Sequence, residues 1–552
     1  MTSVILPPML ALVGAGLLLP FLWGAARVAV LLLAPLLSLW LVWQVPDGVQ
    51  MILPFLDQTL MPVAGSKLAR LFATIFSITA FAGALFALNQ KCHAELAAAF
   101  VYAGSAIGVT FAGDLITLFV FWEVMAIASA LVIWTNGPTA RGAGMRYAMV
   151  HFLGGVILMA GIVGEIAATG STAFGTMDIS TWSRKLILIG VLINAAAFPI
   201  AAWLPDAYSR ASWSGTVFLS AFTTKTAVFV LIVGFPGAEV LIWIGLVMAA
   251  YGLFWAVLEN DMRRMLSYSL VNQVGFMVTA VGVGSEMALN GAAGLAFVHI
   301  LYKALLMMSA GSVLYMTGKS RCTDLGGLYR SMPVATGAAI IGGLTSMAFP
   351  FTAGFISKSM ITQGAADQHL ALVWFLLMAG SASVALHAGI RFPWLVFFHR
   401  DSGLRPADPP WNMKAAMVLG AGLCIGVGLA PGAFYALLPY GTDYAPYTAS
   451  HIVAQVQLLL FTALAFFLLL KWLEPTRTIT LDTDWLWRVL GKRVAEAAIS
   501  RAERAWAWLT ESLGTASRRF TSRLSRHHGP DGLLGRTWPT GTMAFLTTVV
   551  LA

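Results

Sequence analysis

Apolar residues run in long blocks along nearly the whole chain, and short polar segments separate them. A helix needs about 20 apolar residues to cross the hydrocarbon core of a bilayer. Blocks that meet or approach this length lie near 3–24, 26–45, 71–89, 95–112, 114–134, 147–169, 186–204, 213–234, 237–258, 266–284, 288–317, 333–352, 371–398, 415–440, 452–472 and 537–552. The pattern predicts an all-α polytopic membrane protein of about sixteen spans with no extramembrane domain. It divides into N-terminal helices over 1–112, a first repeat region over 113–258, a second over 259–400, C-terminal helices over 401–472, and a tail over 473–552.

The pattern changes over 482–527. Leu486, Leu490, Val494, Trp506, Leu509, Leu513, Phe520 and Leu524 recur at helical spacing, with nine Arg and Lys residues between them (Arg488, Lys492, Arg493, Arg501, Arg504, Arg518, Arg519, Arg523 and Arg526). This predicts a basic amphipathic helix along the inner membrane surface, with anionic lipid as its partner. A solvated tail is the alternative. Gly529 and Pro530 end it, and a last apolar stretch follows.

Composition agrees: 59% of the 552 residues are hydrophobic and 10% charged, where a soluble domain has about 25% charged. The net charge of +9 sits largely in loops and tail, so it speaks to orientation and not to nucleic acid. Arg141, Arg146, Arg210, Arg263, Arg264, Lys319, Arg321, Arg330, Arg400, Arg405 and Lys414 fall in loops of one parity, which places those loops in the cytoplasm and the N-terminus outside. Lys67, Arg70, Arg184 and Lys185 break the pattern. The first 25 residues lack a basic start and a small-residue cleavage site, so they read as a first span and not a signal peptide. Cys92, Cys322 and Cys424 have no metal or redox spacing.

A charge at mid-membrane costs roughly 2.5–3.5 kcal/mol, so each one needs a reason. Glu123 and Lys225 lie inside apolar blocks, Lys358 lies in FPFTAGFISKSMI just past the end of one, and His299 and Lys303 share one helix face four residues apart. His151, His387, Arg263 and Arg264 are further candidates, with packed, hydrogen-bonded histidines as the plain alternative. Membrane-embedded Lys, Glu and His are the parts of a proton relay, because each can gain and lose a proton where Arg cannot. No third ligand accompanies the His299 and Lys303 pair, so no metal is expected, and no cofactor motif occurs. Pro205 precedes the Lys225 span, and Pro350 and Gly354 precede Lys358. Interrupted helices beside ionisable residues in two halves suggest an internal repeat of transporter type.

The stretches GDLITLFVFWEVMAIAS, AAWLPDAYSRAS, TTKTAVF, RRMLSYSLVNQVGFM, HILYKALLMMSAGSVL, TDLGGL and FPFTAGFISKSM occur in that order. Over roughly residues 65–470 the chain resembles the antiporter-like proton-translocating membrane subunits of respiratory complex I and of Mrp-type cation/proton antiporters. The resemblance implies about fourteen core helices with two inverted five-helix repeats and broken helices. It implies a relay in which Glu123 pairs with Lys225, His299 and Lys303 form the central link, and Lys358 is the terminal lysine. Two departures stand out: Arg263 occupies a position often held by Lys, and WSGTVFLS replaces a Pro-Val-Ser-Ala stretch before the Lys225 span. Within the family the chain is most similar to the D-type Mrp subunit: the tail after residue 480 resembles tails of that type, and Lys358 suits it as well as some complex I subunits.

The expected function is therefore a subunit of a multisubunit Na+ (or other monovalent cation)/H+ antiporter in a bacterial inner membrane, working with other membrane subunits. The alternative is a proton-pumping membrane subunit of an NADH-quinone oxidoreductase or related redox complex, without a redox centre of its own. A scaffold for an ion-uptake partner is a third reading, under which the buried Lys and Glu residues would be dispensable.

Overall fold

The computed structural model describes residues 6–477, 481–530, 532 and 535–552, so the first positions of the 3–24 block lie outside the described residues. Two compact units emerge, Met1–Asp482 and Thr483–Ala552.

The first unit is helical, as its hydropathy requires. Twelve helices among the described residues are long and apolar enough to cross a membrane. In lipid the backbone must satisfy its own hydrogen bonds, and helices do so within one segment. An antiparallel hairpin, Gly48–Phe55 with Gln58–Gly65, adds two strands to this helical fold between the second and third helices.

The element boundaries differ from the hydropathy blocks where the chain is interrupted. The 186–204 block is a helix Trp182–Asn194 and a second helix Trp203–Arg210 joined by an irregular turn. The 213–234 block breaks into Gly215–Leu219 and Thr223–Gly234. The 333–352 block ends as a helix at Ser346, and a helix outside the hydropathy blocks, Ala353–Asp367, follows it and carries Lys358. The 371–398 block is regular only to Ser383 and finishes in a π-turn over Trp394–Phe398. Hydropathy averages over such breaks because the interrupted residues are themselves apolar.

Helix Glu286–Thr317 is the centre. Its 32 residues include an 18-residue apolar window that is 100% buried, against 17% for the peripheral helix Ala449–Leu468. With protein on every side it shows no polar face, so its ionisable residues can point only into protein. Val240–Leu258 and Met262–Val283 pack closely together. A Cβ on Gly245 would lie 2.4 Å from the Thr279 nitrogen, and one on Gly252 would lie 2.4 Å from that of Asn272. Such small-residue contact is how membrane helices approach closely.

The second unit contains helix Lys492–His528, 37 residues long, as the tail pattern predicts. Trp506 (68%) and Phe520 (65%) are exposed along it. The final helix Thr540–Leu551 has 12 residues, or about 18 Å, too short to cross a bilayer unaided.

Candidate functional site

The site is a row of buried ionisable side chains on interrupted and central helices. Lys225 is fully buried in the first turn of Thr223–Gly234. Its Nζ donates to the carbonyl oxygen of Ser220 at 2.6 Å, in the break after Gly215–Leu219. Lys358 sits on Ala353–Asp367, and its Nζ donates to the carbonyl oxygen of Ser346 at 2.6 Å. Ser346 is the last residue of Pro333–Ser346. Each lysine thus binds the end of a helix that stops inside the protein. A helix C-terminus carries unpaired carbonyls and partial negative charge, so an ammonium is favoured there. Between Ser346 and Ala353 the chain holds Ala348 at φ 59° and Phe351 at φ 65°. Left-handed backbone at non-glycine residues is strained and persists only where packing enforces it.

Lys303 lies between the two, fully buried on the central helix. Its Nζ donates to Ser269 Oγ at 2.9 Å and to the Leu266 carbonyl at 3.3 Å. It lies within electrostatic reach of both Lys225 and Lys358. His299, one turn away, feels all three lysines. Both ring nitrogens of His299 are buried without a hydrogen-bond partner, and so are those of His387. His387 lies within electrostatic reach of Lys303 and Lys358. Buried imidazole nitrogens without partners are costly unless water or a proton visits them.

Glu123 does not form the expected ion pair with Lys225: among the described residues no such pair exists. Its Oε1 is enclosed and unpaired, packed against helix Pro138–Thr169, where a Cβ on Gly155 would lie 2.0 Å away. The physical reason is that the Lys225 ammonium is turned into the helix break, where the Ser220 carbonyl already satisfies it. No continuous hydrogen-bonded chain replaces that pair among the described residues: His151, one turn from Gly155, has no hydrogen-bond partner on either ring nitrogen and lies against Tyr147, ring centroids 4.1 Å apart and tilted by 37°. Tyr147 donates to Ser129 Oγ at 2.8 Å and lies 3.4 Å from Thr223 Oγ1. The Thr223 hydroxyl, two residues before Lys225, is 2.5 Å from Tyr102 Oη.

The secondary candidates divide. His151 and His387 join the row. Arg263 instead holds the backbone that precedes the Lys225 helix, donating to the carbonyls of Ser209 and Ala211 and to Thr216 Oγ1 (3.1 Å). Arg264 pairs with Glu259 at 3.2 Å. Tyr102, Tyr147 and Ser269 carry no signal in the sequence, because polar uncharged residues are common in membrane helices. Arg391 was also missed. It is 1% exposed and donates to the carbonyls of Ala256 (3.0 Å), Glu259 (3.1 Å) and Leu473 (3.2 Å). Its position in an apolar block is the signal that could have found it.

A cavity of about 300 Å³ adjoins Lys358 and is lined also by Ser359, Gln363, Trp374, Tyr444 and His451. Lys358 is 4% exposed and Trp374 is 41% exposed, so the cavity leads from Lys358 towards the surface. Among the described residues no cluster of three His, Cys, Asp or Glu side chains could hold a metal.

Interrupted helices, buried lysines at their ends and a central helix carrying His299 and Lys303 define a polytopic membrane protein with a row of buried ionisable side chains. Residues 112–386 match the family described as NADH:quinone oxidoreductase/Mrp antiporter, transmembrane, and the chain belongs to that family. It is 29% identical over 458 residues to the A/B component of a probable K(+)/H(+) antiporter of Rhizobium meliloti, covering 75% of this chain and 45% of that protein. It is 30% identical over 302 residues to the N component of the NADH-quinone oxidoreductase of Desulforudis audaxviator, covering 51% of this chain and 60% of the relative. The chain thus spans about half the length of these curated relatives. Its fold is similar to a chain of the membrane-bound sulfane sulfur reductase, an archaeal respiratory membrane complex, with TM-score 0.71 and 21% identity, over 99% of this chain and 98% of that one.

Proposed function

We propose that the chain is the proton-translocating subunit of a multisubunit monovalent cation/H+ antiporter, of the D-type Mrp class. The observation that carries this reading is the placement of Lys225 and Lys358 on the ends of two interrupted helices, with His299 and Lys303 between them. Protons pass along the row Glu123, His151, Tyr147, Lys225, His299, Lys303, His387 and Lys358. Each ammonium that releases its proton leaves a neutral amine ready for the next, and repulsion between neighbouring lysines disfavours simultaneous charging. The net movement is of protons inward against Na+ or K+; the K(+)/H(+) name of one relative keeps potassium beside sodium as the exchanged ion.

The membrane is a bacterial inner membrane, and the partners are other membrane subunits of the same assembly. The basic helix Lys492–His528 lies on anionic lipid or on one of those partners. A second reading, a proton-pumping subunit of a redox complex, is favoured by the likeness to the NADH-quinone oxidoreductase component. The two are separated in inverted vesicles from antiporter-deficient cells that express this gene with its neighbours. With a pH gradient imposed and a pH dye as readout, collapse on addition of Na+ or K+ that Lys225→Ala abolishes supports antiport. Pumping seen only with NADH or another reductant supports the redox reading and overturns the first.

A further inference from the structure

The interrupted helix that leads to Lys225 begins at another buried charge, one that the relay does not use. Glu95 stands in the first turn of helix His93–Phe111 and is 1% exposed. Its Oε1 accepts hydrogen bonds from Ser214 Oγ (2.6 Å), Ser212 Oγ (2.7 Å) and Gln90 Nε2 (3.1 Å). Its Oε2 takes none of these bonds.

Ser212 and Ser214 form the turn from which Gly215–Leu219 starts, and Ser212 Oγ accepts the Gly215 N–H at 2.8 Å. The same helix ends at Ser220, whose carbonyl holds the Lys225 ammonium. A helix of five residues, about 7.5 Å long, therefore separates a buried carboxylate from a buried ammonium. The carboxylate is at the positive end of the helix and the ammonium at the negative end, so both charges favour the same orientation of that helix. Ser214 belongs to the WSGTVFLS stretch in which this chain departs from the pattern it resembles, and Ser212 ends the AAWLPDAYSRAS stretch that precedes it.

The charged groups around Glu95 leave it without a direct counter-ion. Arg263, at the start of Met262–Val283, is spent on the carbonyls of Ser209 and Ala211 and on Thr216. Arg27 reaches the Gln90 carbonyl at 3.4 Å. Lys91 and His93 flank Glu95 on its own segment, and Arg210 precedes the serine turn. From helix Leu115–Trp134, Val132 lies 3.0 Å from where a Cβ on Gly215 would stand. No cation pairs with Glu95 among the described residues. Arg210 and Arg263 also fix the side of the membrane, since they belong to the loops assigned to the cytoplasm.

We propose that Glu95 is a titrating positioning residue on the cytoplasmic side, which controls the protonation of Lys225 through helix Gly215–Leu219. With Glu95 charged, its field across that short helix favours a charged Lys225. A proton taken up at Glu95 removes the field and loosens the serine turn, so Lys225 passes its proton on more readily; loss of that proton reverses both effects. The inference rests on the relay reading, and its test separates the two.

In inverted vesicles the cytoplasmic face meets the medium, so medium pH sets the proton supply on the side where Glu95 is proposed to act. Vesicles containing the full assembly are assayed across pH for wild type, Glu95→Gln, Glu95→Asp and Lys225→Ala. Glutamine keeps an oxygen that both serine hydroxyls can donate to, so a purely structural role survives that substitution. The expected result is that Glu95→Gln exchanges roughly tenfold more slowly or worse at normal membrane levels and loses part of the pH dependence. Glu95→Asp keeps a pH-dependent limb, displaced from that of wild type. Wild-type rate and pH profile in Glu95→Gln overturn the proposal. So does a fall in rate that only follows a fall in assembled protein, with the pH profile unchanged. Wild-type exchange in Lys225→Ala overturns instead the relay on which the proposal rests.

Discussion

The ammonium of Lys358 lies 2.6 Å from the carbonyl oxygen of Ser346, the last residue of the helix that precedes it. Lys225 repeats the arrangement at the same distance on Ser220. In both places a helix stops inside the protein, and the lysine takes up the carbonyl that the missing next turn would have bonded. The interruption and the charge therefore stabilise one another. A proton leaving either lysine weakens its hold on the helix end, which ties proton movement to backbone position.

Arginine at either position should satisfy the same carbonyl and yet not release a proton. Lys225→Arg and Lys358→Arg are therefore expected to reach the membrane at wild-type levels with no measurable exchange, as read by dye quenching and immunoblot. Exchange near the wild-type rate in either variant would exclude that lysine from the relay.

Gly155→Ala should displace Glu123, because the new Cβ would lie 2.0 Å from Oε1. The expected loss of exchange is about tenfold or more, the scale of a misplaced acid–base group. Shortening the acid in Glu123→Asp/Gly155→Ala should restore part of the rate. A double variant no better than Gly155→Ala alone would show that contact with Glu123 is not the cause.

Ser269 supplies the side-chain acceptor that Lys303 uses among the described residues. A hydrogen bond to a charged group is worth roughly 1.5–3 kcal/mol, so Ser269→Ala should slow exchange by about tenfold or more. Ser269→Thr keeps the hydroxyl and should retain most of the activity. The comparison is made on steady-state rates at equal protein content.

Burial pushes the Cys322 thiol up to about 12, which keeps it a thiol and poorly reactive at neutral pH. Cys424 is also buried, whereas Cys92 is partly exposed. Brief alkylation of native membranes with a small maleimide should label Cys92 and spare Cys322, and detergent denaturation should expose all three. Peptide mass spectrometry reads the pattern, and fast native labelling of Cys322 would contradict its burial.

Arg391 fastens the end of an irregular segment to three backbone carbonyls. Arg391→Leu strands those carbonyls in the interior and should cost about 3 kcal/mol or more. A lower Tm in detergent and less assembled protein are expected, together with near-normal exchange per assembled copy. An unchanged Tm would mean that the carbonyls find other partners.

Local composition was enough to establish that the chain crosses a membrane many times, where most helices lie, and which charges sit within them. Those facts follow from hydrophobic transfer, which depends on the residues of each segment alone. The basic amphipathic tail helix was legible for the same reason: its pattern repeats at the helical period. Where helices stop inside the protein was settled by packing: Ser220–Phe222 is nearly as apolar as its neighbours and carries no stop signal, and Pro350 and Gly354 announce a break before Lys358 without fixing that the helix ends at Ser346. Packing also decided pairing. Glu123 and Lys225 could be placed in apolar blocks from the sequence, but only the folded chain turned one towards Gly155 and the other onto Ser220. Nothing in the sequence singled out Glu95; the fold brings Ser212 and Ser214, more than a hundred residues away, onto its carboxylate. Depth in the bilayer is a property of a segment, whereas a partner is a property of the fold.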